Sequence, residues 1–191
     1  MIHAGDVIAN AVTGEELTFI KTARETNGEA VVLEARVRPN GAVAAAHFHP
    51  HQEERFQILA GTAGFRLGRK KLTAVAGDEL VVPARTAHRF WNAGDDDLRF
   101  RAEVRPALEF EALIETMFNL ANDGKTNRKG LPNPFRMAVI AKAYRDVIRL
   151  PFPPVLLQDM GLALGVPMGR MLGYQPVYVP AAPAAELPAG T

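Results

Sequence analysis

Apolar and polar residues alternate with a period of two through much of the first hundred positions. In Leu98–Arg105, for example, Leu98, Phe100, Ala102 and Val104 alternate with Arg99, Arg101, Glu103 and Arg105. That is the signature of strands with one packed and one solvated face. The pattern predicts strands at Leu17–Thr22, Ala30–Val37, Val43–Phe48, Glu54–Leu59, Thr62–Leu67, Lys71–Val75, Glu79–Val82, Ala87–Trp91 and Leu98–Arg105. Turn residues separate them, among them Asn27-Gly28, Pro39-Asn40-Gly41, Gly77-Asp78 and Ala93-Gly94-Asp95. Short strands at this spacing form a sandwich or barrel rather than βαβ units.

The period changes near Pro106. Glu109–Asn122 carries Phe110, Leu113, Ile114, Met117, Phe118 and Ala121 at three-and-four spacing, an amphipathic helix. A loop at 123–133 leads to Pro134, well suited to a first helical position, and Phe135–Leu150 reads as a second helix. A third helix is expected at Val155–Leu164. Three segments result: an all-β barrel at 1–106, a helical extension at 107–178 and a Pro/Ala-rich tail at 179–191.

Composition narrows the function. The 191 residues carry 22 Lys and Arg against 21 Asp and Glu, a net charge of +1. A dedicated nucleic-acid binder would show a strong basic excess, so nucleic acid is not an expected partner. The basic residues between Lys125 and Arg149 read as the solvated side of the helices. The absence of cysteine removes disulfides, thiolate metal sites and a Cys nucleophile. The opening MIHAGDVIAN has neither the basic nor the apolar region of a signal peptide, so the expected compartment is the cytoplasm. Leu150–Gly169 lacks Lys and Arg, but it contains Asp159 and four prolines, so a membrane span is not expected.

The chemistry concentrates in the histidines. His47 and His49 are two apart on an expected strand and share a face. Glu54 has the parity of Phe56 and Ile58, and His88 that of Phe90, so both are expected to point inward. Three imidazoles and a carboxylate suit a divalent transition ion such as Fe, Mn, Ni, Co or Zn. A buried Glu without a partner would cost several kcal/mol or become neutral. Glu53 has the opposite parity and is expected to face out. His51, after Pro50, is expected at the rim and is the one catalytic candidate outside these four.

These residues resemble the motifs of the cupin superfamily. Gly41, five residues, His47-Phe48-His49, four residues, Glu54, six residues and Gly61 match every fixed position of the first motif. Gly77, Pro83, His88 and Asn92 match the second. Arg85 stands where the family usually has Gly, which bears on the turn before His88 and places a cation near the barrel mouth. The motifs cover residues 41–92. The resemblance implies a double-stranded β-helix, or jelly-roll, barrel with His47, His49, Glu54 and His88 as metal ligands. It also implies a homodimer. It leaves the helical extension unexplained.

The parities further predict a pocket lined by Phe48, Phe56, Ile58, Phe65, Val82, Arg85, Phe90 and Phe100. That lining suits a small apolar or aromatic molecule. Two functions stay open. One is a metal enzyme of dioxygenase-like or isomerase-like type. The other is a module that binds or senses a small molecule without turnover, since fold and ligand set do not fix a reaction.

Overall fold

The computed structural model describes residues 2–180; from residue 181 the expected Pro/Ala-rich tail lies outside the described residues. Nine strands, β1 (Val7–Asn10), β2 (Glu15–Lys21), β3 (Val31–Val37), β4 (Glu53–Ala60), β5 (Thr62–Leu67), β6 (Lys70–Val75), β7 (Glu79–Val82), β8 (His88–Asn92) and β9 (Leu98–Arg105), precede three helices. The helices are α1 (Phe110–Asn122), α2 (Pro134–Ala143) and α3 (Val155–Met171).

The strands form two antiparallel sheets, one of order β1-β2-β3-β9-β4-β7 and one of order β6-β5-β8. They enclose a double-stranded β-helix barrel. Strict alternation sets the inner faces. Val31, Leu33, Ala35 and Val37 of β3 lie opposite Val104, Ala102, Phe100 and Leu98 of β9, and all are buried. The outward positions carry ion pairs such as Arg101–Glu34 at 2.7 Å and Arg55–Glu53 at 2.8 Å. Such exposed pairs contribute about 0–1 kcal/mol each. Phe56, Phe65, Phe90 and Phe100 pack edge-on and tilted at centroid distances of 5.2–6.4 Å and fill the interior.

Four elements differ from the sequence expectation. Strand β1 is new: four residues without clear alternation, held at the sheet edge by α1. Asn122 donates to Ala9 O at 2.8 Å and accepts from Ala11 N at 3.2 Å, so a side chain covers the exposed edge. Residues 43–48 are not a continuous strand. They touch β8 at two bridges, Ala42–Trp91 and His47–His88, with a bend between. At that bend His47 Nδ1 lies 2.9 Å from Ala45 O, a local bond that competes with the ladder.

Helix α2 ends at Ala143 rather than Leu150. Beyond it the backbone of Arg149 exchanges two hydrogen bonds with Phe48, at 2.8 and 2.9 Å. Tertiary pairing with the free edge of the His47–His49 segment replaces further helix, and Pro151 biases Leu150 away from helical geometry. Helix α3 runs past Gly165 and Pro167 to Met171. There the two glycines admit α2: a Cβ on Gly169 would lie 2.5 Å from Phe135 O, and one on Gly165 would lie 2.9 Å from Ala138 Cβ. Close helix packing thus overrides weak local propensity. Among the described residues no helix is long and apolar enough to cross a membrane.

Candidate metal centre

Two arms of backbone bring four side chains together. His47 and His88 face each other across a bridge closed by His88 N to His47 O at 2.7 Å and His47 N to His88 O at 3.0 Å. His49 follows two residues on, and Glu54 sits on the inner face of β4. One donor atom from each of His47, His49, Glu54 and His88 lies within 4.8 Å of every other, and all four residues are buried. His88 Nε2 is 2.7 Å from Glu54 Oε2, and His49 Nε2 is 3.5 Å from Glu54 Oε1.

Each imidazole is held by its other nitrogen. His47 Nδ1 is 2.9 Å from Ala45 O, His88 Nδ1 is 2.9 Å from Thr86 O, and His49 Nδ1 is 2.7 Å from Val147 O. A carbonyl only accepts, so each Nδ1 donates and each Nε2 is the atom turned to the centre. Gln52, almost fully buried, adds a second acceptor to His49 at 3.1 Å and donates to Pro106 O and Ala107 O. His49 is therefore anchored by the start of the helical extension and by the turn after α2. Phe110, at the head of α1, lies 6.2 Å from the His49 ring.

The electrostatics fit a cation. Burial, reinforced by the neighbouring imidazoles, drives His47 down to about 3, so it is neutral at physiological pH. Burial opposes a charge on His49, but the Glu54 carboxylate outweighs it and holds the His49 pKa above its ordinary value. Burial likewise works against the Glu54 anion, but His49 and His88 hold its pKa well below the usual carboxylate range. His49 Nε2 and Glu54 Oε2 nevertheless lack a well-aligned hydrogen bond, although His88 Nε2 stands 2.7 Å from Glu54 Oε2. Unsatisfied buried atoms of this kind are costly unless something binds them. An ion held about 2.0–2.2 Å from each donor would satisfy both after a small contraction of the cluster. The donor set of three imidazoles and a carboxylate suits first-row divalent ions.

The other sequence-stated positions fall as follows. Glu53 lies on the outer face with Arg55. His51 has a side chain 54% exposed, 3.9 Å from Asp146, and lies outside the cluster of four. Phe56, Ile58, Phe65, Val82, Phe90 and Phe100 are buried in the barrel core, whereas Phe48 is half-buried between the two histidines on the bridge to Arg149. Arg85 is exposed at the mouth, with Nε 3.4 Å from Pro50 O. Sequence reading misses Gln52 and Val147. A backbone acceptor far along the chain leaves no side-chain signature, but the glutamine two residues before Glu54 was a visible polar position beside the motif.

Arg85 has φ of 65°, the left-handed region where a side chain is strained and glycine is not. Its N–H donates to His49 O at 2.7 Å, which explains why the turn closes despite the missing glycine. Arg85→Gly is expected to raise the unfolding free energy by about 1 kcal/mol in a urea titration, with the cluster unchanged. A loss of stability would show that the guanidinium contact with Pro50 outweighs the backbone strain.

Residues 33–104 match the family model described as "Cupin domain". No curated protein matches. Among solved structures, a predicted oxalate decarboxylase from Thermotoga maritima is similar at 22% identity, over 56% of this chain and 98% of that one, with a TM-score of 0.48. An RmlC-like cupin from Shewanella frigidimarina is similar at 15% identity, over 55% and 86%, with a TM-score of 0.47. A sugar phosphate isomerase of the cupin superfamily from Silicibacter pomeroyi is similar at 18% identity, over 52% and 70%, with a TM-score of 0.47.

Proposed function

We propose, on the premise that residues 33–104 are a cupin domain, that this protein holds one divalent transition metal on His47, His49, Glu54 and His88. The bound ion would be presented to a small, largely apolar or aromatic molecule. The observation that carries the reading is the convergence of four buried donor atoms within 4.8 Å of one another. An Fe, Mn, Co, Ni or Zn ion bound there supplies Lewis acidity, or for iron reactivity toward dioxygen, with one or two positions open beyond the four protein donors.

The chain's own residues supply the rest. The Ala45, Thr86 and Val147 carbonyls fix the three rings, so that each presents Nε2. Glu54 supplies the negative charge that offsets part of the cation. Phe56 and Phe90 lie one position further along the same inner faces as Glu54 and His88, and keep water from the floor of the site. The reaction we infer is dioxygenase-like or isomerase-like. The second reading, a module that binds without turnover, is favoured by one feature. The cluster is closely covered: His47, His49, Glu54 and His88 are only 7%, 2%, 6% and 2% exposed.

Metal content per chain, measured by elemental mass spectrometry after supplementation with each ion, tests the site. About one equivalent is expected, and none with any ion would overturn the proposal. The Mn(II)-loaded protein separates the two readings. Enhanced water-proton relaxation means an open, exchanging position, as an enzyme needs. Its absence at full metal occupancy favours the non-catalytic module.

A further inference from the structure

Helix α3 is apolar nearly all round, with Asp159 and Arg170 its only charged residues. A helix of that kind belongs in an interior, yet this chain covers one side of it. Gly165 and Gly169 lie against α2. Among the described residues the face centred on Leu164, about 120° around the helix from those glycines, is exposed. At 3.6 residues per turn, Leu156, Leu157, Met160, Leu164, Met168, Met171 and Leu172 fall within about 80° of that centre, on a stripe roughly 24 Å long. Their exposures run from 44% to 82%, with Leu164 at 80% and Met171 at 82%. Side chains of this size then present roughly 800 Å² of apolar surface. That exceeds the 300–600 Å² of a typical monomer's largest patch and equals one partner's share of a standard interface.

We propose that this face binds a second copy of the chain, through an antiparallel α3–α3 contact with its two-fold axis at Leu164. The sequence is self-complementary about that residue. A two-fold there sets Leu156 level with the partner subunit's Leu172, Leu157 with the partner subunit's Met171, Met160 with the partner subunit's Met168, and Leu164 with itself. Every apolar level of the stripe thus faces an apolar level of the partner, as an isologous interface requires. Asp159 and Arg170 sit one residue off the same symmetry and point to the same flank. Both lie more than about 90° around the helix from Leu164 and are engaged within the chain, Asp159 with Arg149 and Arg170 with Gln175, so the stripe itself carries no charge. A bilayer surface is the poorer fit, because an interfacial helix carries Lys and Arg along its polar face and α3 has one of each sign.

Light scattering should give the wild type twice the 20.8 kDa chain mass at micromolar concentration. Leu164→Glu should return a single-chain mass with unchanged circular dichroism and metal content, since Leu164 is 80% exposed. The chain has no cysteine, so introduced thiols report the register. Leu164→Cys should crosslink to a covalent dimer on mild oxidation, whereas Leu156→Cys, about 24 Å along the pair from its own copy, should not. A monomeric wild type, a dimer indifferent to Leu164→Glu, or a wild type that sediments with lipid vesicles as a monomer would each overturn the proposal.

Discussion

His88→Ala protein is expected to keep its fold and lose its metal, with affinity reduced at least about 100-fold, beyond the 10–100-fold that outer partners alone carry. The fold survives because the backbone of His88, not its ring, makes the bridge to His47 and the pairing with Leu67. The ring is what the centre loses: its Nε2 is the atom 2.7 Å from Glu54 Oε2. Removing it leaves two imidazoles and a carboxylate around a hole of imidazole size. Glu54→Ala should lose the metal equally. Glu53→Ala should bind like the wild type, because Glu53 pairs with Arg55 on the outer face. Isothermal titration with Zn(II) or Ni(II) on the three variants checks the set. Metal retained by Glu54→Ala and lost from Glu53→Ala would overturn the ligand assignment at that strand.

That contrast between neighbouring glutamates shows what the sequence makes legible. The period of a strand is two, so Phe56 and Ile58 mark the inner face of β4 and carry Glu54 with them. The same rule brings His88 inward with Phe90. The four residues singled out by parity and spacing are the four whose donor atoms converge. What alternation cannot show is any structure set by distant backbone. The early end of α2 and the carbonyl of Val147 against His49 both arise from one event: the turn after α2 docks on the edge beside His49. Local sequence there reads as more helix. The glycines and the proline of α3 signal a helix end, and only the close approach of α2 explains why the helix continues past them. The extension that the cupin motifs leave unexplained thus proves to anchor a residue of the motif itself.

The parity rule also bears on a residue that sequence reading passed over. Glu15 shares the inner face of β2 with Leu17 and Phe19 and is 8% exposed. Burial pushes its carboxyl from 4.5 up to about 7, against a smaller opposing influence from Thr13. Below pH 4.5 the folded and unfolded chains both hold this proton, and the group leaves stability independent of pH. Between 4.5 and 7 the unfolded chain ionises while the fold keeps the proton, so stability falls as pH rises. Above 7 the fold carries the whole penalty of a buried anion, on the order of 3 kcal/mol. Glu15→Gln, which keeps the shape and removes the titration, should therefore match the wild type near pH 4.5 and exceed it at pH 8. At about 2–4 °C per kcal/mol for a chain of this size, the gain in Tm at pH 8 is roughly 6–12 °C. Thermal unfolding of both proteins with chelator present, at pH 4.5, 6 and 8, isolates the effect, since titration of the metal cluster is common to both and cancels in the difference. A difference that stays constant across that range would show that Glu15 ionises freely in the fold, with its strand end open to water.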